Sequence, residues 1–272
     1  MMVTILLAIA LVLYLGASGT LAASFAGGRA TVPRLGAALT GGALAFHAAA
    51  LAVFTVLHAE LPLVGLAPSL STLAFLITLF FFATTLARES RPVGLVLVPL
   101  TSLLLAIALI VGMSPSGEPL AFSGVWFSFH VLLAFIGYAG LTVAFAAGLL
   151  YLLQFRELKG KRLGRVFRFF PSLPALDTIG RLGLLVGFPA LSAALLLGWA
   201  WTVRFRNTFA VSEPEVIWGV LTWLIYAIVL AIRFMNKPNT ERRAAFVTVI
   251  GFAFVVASYL LLRLFIPGGA FL

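Results

Sequence analysis

Residues 124–141, GVWFSFHVLLAFIGYAGL, form a long apolar stretch that carries one histidine, His130, near its start. The hydrocarbon core of a bilayer is about 30 Å thick and accommodates about 20 consecutive apolar residues of helix. The stretch remains apolar to about residue 153 and therefore predicts a transmembrane helix. An imidazole in such a helix is a hydrogen-bonding and metal-ligating group within a lipid-soluble segment.

The composition of the whole chain is typical of a membrane protein. Of its 272 residues, 62% are hydrophobic and 10% are charged, whereas soluble domains are about half apolar and a quarter charged. The net charge of +10 would suggest nucleic-acid binding in a soluble protein, but here the basic residues lie in short loops between apolar runs, as in proteins that meet anionic lipid. The absence of cysteine excludes disulfides, thiolate metal sites and cysteine nucleophiles.

Eight apolar runs are long enough to span the bilayer. They cover about residues 3–25, 36–57, 69–87, 93–112, 125–153, 180–203, 216–234 and 244–266. The first run lacks a basic segment before it and is longer than the apolar part of a signal peptide, so it predicts a retained helix. The sequence thus predicts an all-α, polytopic helical bundle of about eight transmembrane helices, with residues 1–272 as a single membrane domain.

The basic residues are divided unequally between the two sides. Of the 18 lysine and arginine residues, all but Arg204, Arg206 and Arg263 fall in the odd-numbered loops and the adjoining helix ends. The positive-inside rule therefore predicts that these loops are cytoplasmic and that both termini lie outside. The longest loop, residues 154–178, predicts a short basic, aromatic-bearing segment on the inner leaflet, with a docking surface for a cytoplasmic partner as the alternative.

Several kinds of chemistry are missing from the predicted membrane interior. No aspartate or glutamate falls in the middle of any span, which argues against a proton- or sodium-coupled transporter. A phosphate-binding loop, a dinucleotide fingerprint and a hydrolytic triad are also absent. The sequence therefore favours a protein without a catalytic site of its own.

The three histidines are the candidate ligands of a metal. His47 is predicted near mid-membrane, His58 at the outer boundary, and His130 about 7 Å below the outer surface at 1.5 Å per residue. Imidazole is the usual axial ligand of haem iron, and a flat apolar macrocycle suits a bundle rich in Phe and Leu. A single histidine in a helix is also commonly a packing residue that forms a hydrogen bond, so the residues alone leave both interpretations open.

Four of the five tryptophans cluster near the predicted outer helix ends. They are Trp126, Trp199, Trp201 and Trp218. Tryptophans at this depth are typical of the aromatic belt that anchors a protein among the headgroups. Since no tryptophan falls at the predicted inner face, the cluster is equally consistent with an aromatic platform around His130.

Four blocks carry a resemblance to a known family. They are residues 129–153 (FHVLLAFIGYAGLTVAFAAGLLYLL), 170–201 (FPSLPALDTIGRLGLLVGFPALSAALLLGWAW), 212–234 (SEPEVIWGVLTWLIYAIVLAIRF) and 241–265 (ERRAAFVTVIGFAFVVASYLLLRLF). In order and spacing they resemble the second half of the CcsA/CcmC-type cytochrome c assembly proteins. The resemblance defines a core of about residues 124–266 and extends more weakly to the FHAAAL stretch around His47.

The resemblance implies a protein of the bacterial plasma membrane that binds b-type haem at the outer face. It further implies that the haem is presented to apocytochrome c, together with other assembly subunits. Position by position, His130 matches the family's first outer histidine, Trp218 and Trp223 match the aromatic positions after its tryptophan-rich loop, and Glu213-Pro214 stands where Asp-Pro is usual.

The chain also departs from the family pattern. Its loop RFRNTFAVSEPE, residues 204–215, contains no tryptophan, and the family's further histidines would fall near Ala270 and Ala231. A bis-histidine site of the family's type is therefore incomplete in this chain. The pattern resembles the shorter subgroup of YpjD and HemX membrane proteins, whose HemX-type members are linked to control of haem synthesis.

The candidate cofactor site thus contains His130 as axial ligand, with Trp126, Trp218 and Trp223 as its aromatic surroundings. His47 is the one candidate for an intramembrane second ligand, although helix rise places it about 8 Å from the depth of His130. The main hypothesis is haem handling in cytochrome c biogenesis. The alternatives are a regulatory or structural protein without haem that acts through loop 154–178, and a transporter, which the missing coupling carboxylate disfavours.

Overall fold

The computed structural model describes residues 1–27, 32–87, 91–116, 124–161, 164–206, 214–235 and 239–265, and these residues form helices and no strand. The α-helices are α1 (Met2–Gly27), α2 (Val32–His58), α3 (Leu66–Ala87), α4 (Gly94–Val111), α5 (Val125–Lys159), α6 (Arg165–Phe169), α7 (Leu173–Arg206), α8 (Pro214–Phe234) and α9 (Thr240–Phe265). A 3₁₀ turn, Arg91–Val93, leads into α4.

Seven of the described helices are long and apolar enough to cross a membrane. They are α1 to α5, α7 and α8, and they coincide with the first seven spans predicted from the sequence. The eighth predicted span falls within α9, a helix of 26 residues that is not one of the seven. The predicted class, an all-α polytopic membrane bundle, is confirmed.

Most of the described helices are longer than their predicted spans, α5 and α7 by the most. Helix α5 continues to Lys159, and α7 begins at Leu173, so both extend past the apolar runs at the same end of the bundle. Helical hydrogen bonding does not require apolar side chains, and the hydropathy boundary therefore underestimates the helix. The extension brings Asp177 of α7 within 2.6 Å of Arg233 of α8 as an ion pair.

Helices α5 and α7 contact each other through small residues. A Cβ atom added to Gly140 would lie 2.5 Å from the carbonyl oxygen of Gly183 and 2.8 Å from the Cα atom of Gly187. Helices in lipid gain little from apolar burial against each other, so small residues that let backbones touch favour their association. This contact fixes how the start of α5 lies against the end of α7.

The connection between α5 and α7, which the sequence predicted to contain a short basic, aromatic-bearing segment, includes the five-residue helix α6. Phe169 and Phe170 pack on Phe25 at the end of α1, with ring centroids 5.3 and 6.0 Å apart, while Arg168 is exposed. The side-chain amide of Gln154 on α5 donates to the carbonyl of Phe167 at 3.4 Å. The aromatic rings of the segment therefore tie the loop to the first helix.

Candidate functional site

His130 lies in the second turn of α5 and faces α7. Its Nδ1 atom is 2.7 Å from the carbonyl oxygen of Ala194. A carbonyl only accepts, so Nδ1 carries the hydrogen and Nε2 is left with its lone pair. Within the part of the chain that the structure describes, Nε2 has no hydrogen-bond partner. This is the neutral, oriented state in which histidine ligates a metal.

Gly198 makes room for this imidazole. A Cβ atom at position 198 would lie 2.7 Å from Cε1 and 3.1 Å from Nδ1 of His130, closer than packed atoms allow. Gly198 is four residues after Ala194, on the same face of α7. Gly198 could not be identified from the sequence, because a glycine in an apolar helix gives no indication of which side chain packs against it.

Trp126 lies one turn before His130 on the same face of α5. Its indole N–H donates to the carbonyl of Leu197 at 3.0 Å, and 49% of the residue is exposed. Trp126 and His130 thus both donate to backbone carbonyls of α7, three residues apart. The structure brings these two predicted site residues together and leaves part of the indole accessible.

Trp223 and Trp218 lie on α8, and the indole of each forms a hydrogen bond with a neighbouring helix. The indole N–H of Trp223 donates to Ser192 of α7 at 2.8 Å, and its ring stacks on Phe188 at 5.4 Å. The indole N–H of Trp218 donates to the carbonyl of Val255 on α9 at 3.1 Å. Both residues therefore take part in helix contacts on the α8 side of α7.

His47 lies in a different part of the bundle from His130. Its side chain is fully buried, with Nε2 3.0 Å from the Ser71 hydroxyl of α3 and Nδ1 3.4 Å from the Tyr14 hydroxyl of α1. Its ring also meets Phe75 edge-on at 5.4 Å. Iron ligation by His47 would require one of these hydroxyls to give up its hydrogen bond, so the geometry favours His130 as the accessible ligand.

The donor set fits haem better than a bare metal ion. The described residues contain no group of three or more histidine, aspartate or glutamate side chains that could hold an ion. Haem brings four equatorial nitrogens of its own and requires only axial ligands from protein. One oriented imidazole with an accessible indole beside it matches that requirement. The positions of Glu213 and Ala270, which entered the comparison with the family pattern, lie outside the described residues.

The fold and this site define a multi-pass helical membrane protein with an oriented imidazole at one end of the bundle. The model of the family described as cytochrome C assembly protein matches residues 38–268, a range that includes His130 and almost all of α2 to α9. The chain belongs to this family, and the resemblance noted in the sequence is confirmed.

Individual relatives support the same assignment. The chain is 27% identical over 224 residues to the cytochrome c biogenesis protein CcsA of Mesostigma viride, which covers 73% of each protein. It is 31% identical over 137 residues to CcsA of Chlamydomonas reinhardtii, covering 50% of this chain and 37% of the relative. It is also 27% identical over 146 residues to the protein HemX of Bacillus subtilis, 52% of each, in agreement with the predicted HemX-like subgroup. The chain thus matches only part of several of these relatives.

Proposed function

We propose that this protein handles haem in cytochrome c biogenesis and that His130 contributes an axial ligand to the iron. The observation that carries the proposal is the hydrogen bond from Nδ1 of His130 to the Ala194 carbonyl, with Nε2 left unpartnered in the described chain. A ligating histidine nearly always donates its other ring N–H in this way, which fixes the ring and raises the basicity of the ligand nitrogen.

The remaining residues of the site have supporting roles. Gly198 admits the imidazole, and Trp126 offers an apolar ring surface next to it. Bound haem supplies an iron centre that accepts imidazole on its axial positions. Since His47 is hydrogen-bonded to Tyr14 and Ser71, away from His130, an assembly partner or apocytochrome c would supply any further protein ligand of the iron.

We further propose that the His130 end of the bundle faces the outside of the bacterial plasma membrane. The opposite end, where α5 ends and α7 and α9 begin, exposes many basic side chains. They are Arg156, Lys159, Lys161, Arg168, Arg181, Arg242 and Arg243. The positive-inside rule supports a cytoplasmic location for such an end, and His130 would then lie on the outer side, where we propose that haem is presented.

The test is a visible spectrum of the purified protein in mild detergent after addition of haem. The expected result is a Soret band with the shift typical of imidazole ligation in the wild type and its loss in His130→Ala. His58→Ala is the matched control, since His58 is exposed at the end of α2. A wild type without the band, or a band unchanged in His130→Ala, would refute the proposal.

The second candidate function is a regulatory role without haem, exerted through loop 154–178 on a cytoplasmic partner. The observation that favours it is the exposure of Lys161 and Arg168 on a loop that Phe169 and Phe170 anchor to α1. This function predicts that a Lys161→Ala, Arg168→Ala double variant loses the cellular phenotype while His130→Ala keeps it. Normal c-type cytochrome levels in a deletion strain would support this candidate over haem handling.

A further inference from the structure

A cleft opens at the end of the bundle where α2 ends and α5 begins. Its volume is about 360 Å³, within the range of about 300–1,000 Å³ typical of ligand sites. The walls are mostly apolar and come from Leu61 and Leu63 of the connection after α2 and from Phe127, Phe129 and Leu132 of α5. The size and the lining are suited to a hydrocarbon ligand.

The cleft is separate from the imidazole site. His130 and Trp126 face α7 through Ala194 and Leu197, and neither lines the cleft. Phe129, which does line it, is 55% exposed. The start of α5 therefore presents two different faces, one to α7 and one to the cleft.

Two polar groups lie among the apolar walls, Glu60 and Ser128. The Glu60 carboxylate accepts the backbone N–H of Ser116, 3.3 Å from each oxygen. No cationic side chain of the described residues pairs with it, and the Ser128 hydroxyl has no hydrogen-bond partner among them. A carboxylate without a counter-ion beside an apolar cleft attracts a positively charged group.

The negative charge of Glu60 indicates which membrane-soluble molecules the cleft can bind. Haem carries two propionates, and phosphatidylglycerol and cardiolipin are anionic, so Glu60 repels all three. We propose that the cleft binds a phospholipid with an amine headgroup, of the phosphatidylethanolamine class. Its ammonium lies against Glu60, the Ser128 hydroxyl donates to a phosphate or ester oxygen, and one acyl chain covers Leu61, Phe129 and Leu132.

The first test is native mass spectrometry of the protein released from nanodiscs that contain equal amounts of phosphatidylethanolamine and phosphatidylglycerol. The wild type is expected to retain one phosphatidylethanolamine. Glu60→Gln should lower the retained fraction by about tenfold, as the loss of a charged partner from an apolar site does. Glu241→Gln, which removes the same charge from an exposed position at the opposite end of the bundle, should have no effect.

The second test fills the cleft without changing charge. Leu132→Trp should abolish lipid retention, whereas Leu153→Trp, at an exposed position further along α5, should not, and circular dichroism confirms that both variants fold. Absence of retained lipid in the wild type, equal retention of phosphatidylglycerol, or an unchanged Glu60→Gln variant would overturn the proposal. So would stoichiometric displacement of the lipid by haem. The Soret band of Glu60→Gln is expected to equal that of the wild type, so the lipid and haem proposals fail separately.

Discussion

The imidazole of His130 donates a hydrogen bond from Nδ1 to the carbonyl of Ala194. Its other nitrogen, Nε2, has no partner among the described residues. The position of the ring depends on Gly198, where any side chain would overlap Cε1. At this scale the candidate site consists of the imidazole, an orienting acceptor and a gap that admits the ring. A packing histidine can form the same bond to a carbonyl, so the feature that favours a metal ligand is the second ring nitrogen, which has no partner among the described residues.

Substitution of Gly198 by alanine should displace the imidazole while leaving the helix intact. We expect haem affinity to fall by about 10- to 100-fold, the usual cost of disturbing the groups that orient a metal ligand, as measured by Soret titration. Gly19→Ala is the control, because a Cβ atom there has nothing within 4 Å. Equal affinity in the two variants would show that the fit of the ring against α7 does not matter.

Substitution of His47 by alanine tests the other predicted ligand. The ring of His47 forms hydrogen bonds with the hydroxyls of Tyr14 on α1 and Ser71 on α3. Because the variant leaves these buried hydroxyls without that partner, its free energy of unfolding should fall by about 1–3 kcal/mol. Thermal unfolding of the haem-free protein measures this loss. The Soret position should stay at the wild-type value, and a shift away from it would instead support His47 as an axial ligand.

At the scale of helices, the candidate site depends on direct packing of α5 against α7. Glycines at 140, 183 and 187 bring the backbones into contact, and the buried Tyr226 of α8 adds a hydrogen bond from its hydroxyl to the carbonyl of Gly137. At the opposite end of the bundle, the ion pair between Asp177 and Arg233 links α7 to α8. These contacts fix the face that His130 presents to α7.

The ion pair provides a test of this packing. The side chains of Arg233 and Asp177 are 14% and 16% exposed, so Asp177→Ala leaves a mostly buried cation and should cost about 2–3 kcal/mol, somewhat less than a fully buried pair would. The double variant Asp177→Leu, Arg233→Met should cost less than that single change. Unfolding in mixed micelles measures both, and a double variant that is less stable than the single would contradict the interpretation.

The positions of the helices could be predicted from the sequence, but which helices pack against each other could not. Hydropathy located the seven spans because lipid solubility is a property of each segment. Residues that face lipid and residues that face another helix are equally apolar, so the pattern gave no indication that His47 bonds α1 and α3 while His130 bonds α7. The Asp177–Arg233 pair spans 56 positions of the sequence, and no local pattern indicates a contact of that separation.

At the scale of the whole molecule, the two ends of the bundle expose different kinds of side chain. Exposed basic side chains lie at the end where α5 finishes, whereas the end with His130 carries the half-exposed Trp126 and the carboxylate of Glu60, which forms no ion pair with a cation of the described residues. A bundle with this asymmetry takes one orientation in a bilayer whose inner leaflet and translocation machinery both favour cytoplasmic Lys and Arg. The family match over residues 38–268 includes both ends.

The orientation can be measured directly because the chain has no cysteine. Single substitutions Ser114→Cys and Arg168→Cys create the only thiols in the protein, at exposed positions on opposite ends of the bundle. In intact cells an impermeant maleimide should label the first and spare the second, which should react only after the membrane is opened. The reverse pattern would place His130 on the cytoplasmic side, away from the face on which we propose that haem is presented.

The most direct test of the central claim is a haem titration of His130→Gly with and without free imidazole. If Nε2 of His130 ligates the iron, the variant should lack the wild-type Soret band and regain it when imidazole enters the space that the side chain vacates. His58→Gly should show the wild-type band throughout. A wild-type spectrum in His130→Gly without imidazole would contradict the claim that this residue binds the haem iron.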